Sequence, residues 1–202
     1  MNTTLISTIE KASLAPIASD RKAVLQVLID YINEKLKQGL PLKLNFICTH
    51  NSRRSQMSQI WAQAAAVHHQ VDIESFSGGV EVTAFNPRAV ESCRRLGFDI
   101  EVSDNRNNPV YLVKLEEGKK LSCFSKLYDD DANPSAQFAA VMTCSDADEN
   151  CPFIPGTEAR IPLRYEDPKA FDDTPQEAEK YDERNLQIAS EMLYVFRTIS
   201  AN

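Results

Sequence analysis

The sequence predicts one α/β domain, doubly wound around a four-stranded parallel sheet, with helices added at its amino end. Three features carry that expectation. Strand, loop and helix follow one another twice between residues 43 and 96, a buried strand recurs at 138–143, and the chain closes on a long amphipathic helix. A length of 202 residues suits one principal domain with an appendage.

Residues 1–40 read as a helical extension. Ile6, Ile9 and Leu14 mark a first segment, and Val24, Leu25, Leu28, Tyr31, Ile32 and Leu36 recur at helical spacing in a second, capped near Ser19 and Asp20 and closed by Gly39. At Pro41 the period changes: Lys43–Cys48 (KLNFIC) reads as a buried strand, Thr49–Arg53 as a polar loop, and Arg54–Val67 as a helix. A second unit places a strand at Asp72–Ser77, then Gly78 and Gly79, then a helix from Pro87 to Leu96, where proline suits a first helical turn. Val110–Leu115 and Leu121–Leu127 read as a β-hairpin that interrupts the alternation. Phe138–Thr143 and Ala159–Leu163 supply further strands, and Pro175–Ile199 the last helix. The expected organisation is an extension over 1–40 and a catalytic domain over 41–202, with a hairpin insertion at 104–136.

Composition narrows the function. The formal net charge is −7 and the acidity is local: 14 acidic and 4 basic side chains fall between residues 128 and 182, against 15 and 18 elsewhere. A negative chain with no Lys/Arg run is a poor partner for nucleic acid or an anionic membrane. The start MNTTLISTIEK has neither a basic nor an apolar signal region, and no stretch of 18 apolar residues occurs, so the cytoplasm is the expected compartment. Five cysteines, an odd number, favour reduced thiols or redox chemistry over a disulfide scaffold. HExxH, GxGxxG and Walker-type patterns do not occur, and no metal site is expected.

Cys48 ends a predicted strand, and Arg54 and Ser55 open the following helix. A loop wrapped between strand and helix aims backbone N–H groups inward, and the helix start adds positive potential, so a tetrahedral oxyanion is cradled there. The same field favours the nucleophilic thiolate. Arg54 supplies paired donors for two oxygens, and Ser55 a hydrogen bond to the sulfur as it leaves. The plainer reading of Cys48 is a small buried hydrophobe.

CTHNSRRSQM resembles the phosphate-binding loop of the low-molecular-weight protein tyrosine phosphatases and of the thioredoxin-coupled arsenate reductases that share their fold. VMTCSDADENCP resembles the reductase segment with two further redox cysteines, and YEDP the Asp-Pro loop of the general acid. The resemblance spans about residues 43–103 and 138–200. It implies Cys48 as nucleophile, Arg54 as oxyanion clamp, Asp167 as acid, and Cys144 with Cys151 as a thiol relay. The loop residues Thr49, His50, Asn51, Ser52, Arg53 and Ser55 would bind the substrate, Asn51 and Ser55 shaping the loop. The family usually has Gly where His50 stands and often Cys where Arg53 stands. Some reductases hold potassium with an acidic residue where this chain has Gln59, and that ion is not expected here.

The resemblance implies an arsenate reductase, with thioredoxin as electron donor and no bound cofactor. A phosphatase acting on phosphotyrosine is the alternative; it has no use for the relay and wants an aromatic cleft, for which only Tyr165 and Phe171 flank Asp167. A silent anion-binding module is the third reading. Each residue also has a plainer role: Asp167 before Pro168 as a turn residue, Cys144 and Cys151 as unrelated surface thiols, Cys93 and Cys123 as packing. Seven residues of helix would separate Cys144 from Cys151 by about 10.5 Å. A disulfide tolerates about 7 Å between Cα atoms, so a relay needs that segment looped or unwound.

Overall fold

The structure, a computed structural model, describes every residue except 105, 117, 151, 152, 201 and 202, and the side chains of 150 and 200. In chain order it contains α1 (Thr3–Ser13), α2 (Ser19–Lys37), β1 (Lys43–Cys48), α3 (Arg54–His68), β2 (Glu74–Gly79), α4 (Pro87–Arg95) and β3 (Asp99–Val102). There follow β4 (Tyr111–Glu116), β5 (Lys119–Cys123), β6 (Phe138–Met142), α5 (Ser145–Asn150), β7 (Thr157–Pro162), a 3-10 turn (Pro168–Phe171) and α6 (Glu177–Ser200).

The main sheet has the order β2-β1-β6-β7 and is parallel throughout, as the alternating pattern requires. Its central strands, KLNFIC and FAAVM, are buried almost throughout, because α3 packs on one face while Tyr128, Ala147 and Ile154 cover the other. Cys48 therefore ends β1 at the carboxyl edge of the sheet, where it pairs with Gly79, and Cys144 follows the neighbouring β6. The second strand lies at Glu74–Gly79 and not Asp72–Ser77, because pairing with β1 from Lys43↔Glu74 to Cys48↔Gly79 fixes its bounds.

The insertion differs from the expected hairpin. A short strand, β3, joins β4 and β5 in a separate three-stranded antiparallel sheet. The hairpin's second strand stops at Cys123 instead of Leu127. Beyond it the chain crosses to the end of β2: Gly79 N–H donates to Lys126 (2.9 Å), Tyr128 N–H donates to Gly79 (2.9 Å), and Leu127 bridges Gly79 in parallel. The insertion thus returns its chain to the loop after Cys48.

The extension shares the core. Leu25, Leu28, Ile29 and Ile32 of α2, at helical spacing, are buried in the same cluster as Trp61, Met192 and Phe196. Trp61 Nε1 donates to Asn185 (2.7 Å), whose amide donates to Ser92 (2.9 Å), tying α3, α6 and α4 together. Among the described residues no helix is long and apolar enough to cross a membrane.

A shared core predicts shared unfolding. Leu28→Ala should cost about 2–5 kcal/mol and lower one transition seen alike by circular dichroism and Trp61 fluorescence. An early, separate loss of helical signal would show an independently melting extension.

Candidate active site

The loop after β1 turns on Asn51, which is fully buried and left-handed, with φ 47°. Asparagine accepts that conformation more readily than most residues. His50, standing where the family has Gly, is not among the left-handed residues, so its side chain costs the backbone nothing special. Its imidazole is half-exposed beside Glu81 (3.3 Å), while its carbonyl accepts from Ser125 Oγ (2.9 Å) and Thr83 Oγ1 (3.2 Å). Close approach of β2 fixes the loop from the other side. A Cβ on Gly79 would lie 2.7 Å from Asn51 N and 2.9 Å from His50 C, so only glycine fits.

Hydrogen positions at Cys48 follow from this loop. Lys126 N–H donates to Asn51 Oδ1 (3.0 Å), so the amide nitrogen of Asn51 faces Ser55 Oγ (2.9 Å) and donates to it. The single Ser55 hydrogen is then left for Cys48 Sγ at 3.1 Å, an arrangement that suits a sulfur acceptor. Asn51, Ser52 and Arg53 are buried, yet among the described residues no carbonyl or side chain accepts from the N–H groups of residues 50–53. Buried N–H groups are nearly always paired, so this run beside a thiol is a ready-made place for an anion.

Arg54 and Asp167 meet above the loop. Arg54 Nη2 donates to Asp167 Oδ2 (2.9 Å) and Nη1 to the Tyr165 carbonyl (3.0 Å), leaving further donors of the guanidinium for an oxyanion. Arg53 Nη1 lies 3.6 Å from the same carboxylate, and its Nε donates to Tyr181, which donates to Asp172 (2.7 Å). Ser52 Oγ donates to the Ala84 carbonyl (2.7 Å), away from the loop centre. Asp167 also caps the following turn by accepting from Lys169 N–H (3.0 Å), so the turn reading and the site reading describe the same residue.

Cys144 is buried in one small cluster with Cys48 and Ile47. Thr49 Oγ1 donates to Asp146 (2.8 Å), which spends its only hydrogen, so the 3.5 Å contact between Thr49 Oγ1 and Cys144 Sγ is donated by the thiol. Cys151, the second predicted relay cysteine, lies outside the described residues. Cys93 and Cys123 are fully buried, and burial pushes each thiol up to about 12. Gln59 spends its amide on the Ser75 carbonyl (3.1 Å) and the Ser77 hydroxyl (2.6 Å) and offers no carboxylate for a cation. Sequence reasoning misses Gly79, Lys126 and Tyr181; of these only the Gly78-Gly79 pair at a strand end carries a local signal.

Beside the loop opens a cleft of about 320 Å³ whose lining includes His50, Arg53, Thr83, Asn86 and Lys169. Tyr165, one of the two aromatics flanking Asp167, is buried with its hydroxyl on Glu191 (2.8 Å).

No protein-family model matches the chain. Among solved structures, a low-molecular-weight phosphotyrosine phosphatase from Vibrio cholerae aligns with a TM-score of 0.51 at 14% identity, over 78% of this chain and 95% of that one. A low-molecular-weight protein tyrosine phosphatase from T. tengcongensis aligns with a TM-score of 0.50 at 15% identity, over 78% and 99%. At such identities the likeness concerns the fold, which is that of the low-molecular-weight phosphatases. Sequence relatives are closer. Arsenate reductase 2 of Staphylococcus epidermidis is 32% identical over 124 residues, covering 61% of this chain and 76% of the relative. Arsenate reductase of Staphylococcus aureus strain Newman is 30% identical over 123 residues, with the same coverage. The chain belongs to the arsenate reductase family of these relatives and has the fold of the low-molecular-weight phosphotyrosine phosphatases.

Thiol reactivity checks the site. At neutral pH iodoacetamide should modify Cys48 well before Cys93 and Cys123, whose burial holds them as thiols. Phosphate should protect Cys48. Peptide mass mapping that finds Cys93 or Cys123 modified first, with no protection at Cys48, would contradict the assignment. Gly79→Ala should destabilise the fold by about 1–3 kcal/mol and weaken phosphate protection, read from melting temperature and alkylation rate.

Proposed function

We propose that the chain is an arsenate reductase in which Cys48 is the nucleophile, Arg54 the oxyanion clamp, Asp167 the general acid, and Cys144 and Cys151 the relay. The observation that carries the reading is the second thiol: Cys144 shares a buried cluster with Cys48 and contacts Thr49, the next residue in the chain. A phosphatase has no use for it. The N–H groups of residues 50–53, with Thr49, Ser52 and Arg53 around them, would hold arsenate against the Cys48 sulfur.

The Cys48 thiolate attacks arsenic(V), forming an S–As bond, and the departing hydroxide takes a proton from Asp167 and leaves as water. The Cys144 thiolate then attacks Cys48 Sγ; the S–As bonding pair passes to arsenic, which leaves as arsenite, and a Cys48–Cys144 disulfide remains. Cys151 attacks Cys144 Sγ, the Cys48 thiolate is released, and a Cys144–Cys151 disulfide remains for reduction by a dithiol donor. Thioredoxin, in a reducing cytoplasm, is the proposed donor. The helix α5 lies between the relay cysteines, so the last exchange requires it to unwind. In this reading residues 41–202 carry the catalytic machinery, 104–136 are an insertion, and 1–40 an extension.

Phosphotyrosine hydrolysis uses the same first three residues. The cleft beside the loop disfavours it, since among the described residues no Phe, Tyr or Trp lines it and its apolar walls are only Ala84 and Pro87, where a phenyl ring would need aromatic walls. Substituting Cys144→Ser and Cys151→Ser singly separates the two chemistries. Each variant should lose multiple-turnover arsenate reduction with thioredoxin, thioredoxin reductase and NADPH while keeping most hydrolysis of p-nitrophenyl phosphate. Full arsenate turnover in both variants, or hydrolysis without arsenate reduction in the unmutated protein, would replace this reading with the phosphatase.

A further inference from the structure

Two acceptors orient Arg54, and both belong to one irregular segment: the Tyr165 carbonyl (3.0 Å) and the Asp167 carboxylate (2.9 Å). That segment lies between β7 and the 3-10 turn, outside any ladder. Its backbone is tied by Tyr165 N–H donating to the Thr143 carbonyl (3.0 Å). Arg164 on Asp148 (2.9 Å) and Glu166 beside Arg184 (3.3 Å) hold its exposed side, and Tyr165 anchors its buried side. Tyr165 donates its hydroxyl to Glu191 Oε2 (2.8 Å) on α6, and its ring lies under the Arg21 guanidinium at 4.8 Å. Arg21, on α2, grips the same carboxylate through Nε and Nη2, each at 2.8 Å.

We infer that Arg21, with Glu191, is a positioning residue for Arg54, acting through the Tyr165 carbonyl, so that the amino-terminal extension helps set the oxyanion site. The inference rests on the reading of Cys48 and Arg54 given above. Glu191 is 3% exposed at its side chain and accepts from Arg21, Tyr165 and Gln187 (3.1 Å), a buried carboxylate with one cationic partner among these contacts. Removing Arg21 leaves that charge uncompensated; a buried carboxylate so stranded draws in water or a proton. The Tyr165 hydroxyl then loses its fixed acceptor and the ring its covering cation. Burial holds the Tyr165 phenol well above its ordinary range, so it stays a donor throughout. The looser segment displaces both acceptors of Arg54 together, and that cost falls on oxyanion binding. The Cys48 sulfur is held through Ser55, Asn51 and the Lys126 N–H, and its link to the Tyr165 segment runs through backbone bonds of Thr143 to Tyr165 and to Ile47, which loss of the Arg21 side chain does not remove.

The same helix supplies an internal control. Lys35 Nζ lies 2.8 Å from Glu158 of β7, and Tyr31 donates to that carboxylate (2.8 Å). This contact fastens α2 to the domain without touching the Tyr165 segment. The test measures phosphate binding as protection of Cys48 from iodoacetamide in the full chain. Arg21→Ala should weaken phosphate binding about tenfold while the alkylation rate without phosphate stays nearly unchanged. Arg21→Lys, which keeps the charge on Glu191, should recover most of the affinity. Lys35→Met should lower the melting temperature and leave phosphate binding unchanged. If Arg21→Ala does not fold, Tyr165→Phe, which keeps the ring and removes the hydroxyl, carries the same expectation. Unchanged phosphate binding in the folded Arg21→Ala or Tyr165→Phe variant, or equal weakening in Lys35→Met, would overturn the inference alone. Absence of phosphate protection in the unmutated protein would overturn the reading of the Cys48 loop and the inference with it.

Discussion

The site depends on the burial of Asn51 in a left-handed turn with its amide satisfied at both ends. The Lys126 N–H on Oδ1 and the Ser55 hydroxyl against Nδ2 determine which way the amide faces. From that follows the direction of the Ser55 hydrogen, and from it the hydrogen bond to Cys48. Gln56 Nε2 closes the turn by donating to the Asn51 carbonyl (3.1 Å) and to Phe124 (2.8 Å). A loop held this firmly keeps its unpaired N–H groups in place before a substrate arrives, so binding need not pay to order them.

The two described sulfurs at the sheet edge differ in what their neighbours do for them. Cys48 accepts from a serine whose hydrogen has no other destination, and it opens onto a run of free N–H groups. Cys144 donates to a threonine whose own hydrogen is committed to Asp146, and it accepts from Ala147 N–H (3.4 Å). The Cys48 sulfur thus accepts from a hydroxyl, and the Cys144 sulfur donates to one. Adjacent parallel strands supply the nearness: Thr143 N–H donates to the Ile47 carbonyl (2.7 Å), one residue from each cysteine.

Local signals make the strand–loop–helix unit around Cys48 legible. Lys43–Cys48, mostly apolar with Asn45 within it, gives way to a polar loop, and both its bounds and the start of α3 at Arg54 can be read from the chain. The return of residues 124–128 to the loop is not legible, because its bonds to Gly79 and Asn51 are long-range backbone contacts that impose no residue pattern. Strand β3 is hidden for a similar reason, since only one of its four residues is buried and the alternation is too weak to mark it. Arg21 and Glu191 stand 170 positions apart, and nothing near either one signals the other. His50 looks disruptive in sequence, yet the left-handed position falls on its neighbour.

The central claim is that the N–H groups of residues 50–53 form an oxyanion cradle beside Cys48. Titrating the isotope-labelled, reduced protein with phosphate and following backbone amide resonances tests it directly. The account predicts saturable shifts concentrated at His50, Asn51, Ser52 and Arg53, extending to Arg54, with the amides of the β4–β5 hairpin unmoved. Saturable shifts centred elsewhere, or none in this loop at phosphate concentrations that protect Cys48, would contradict it.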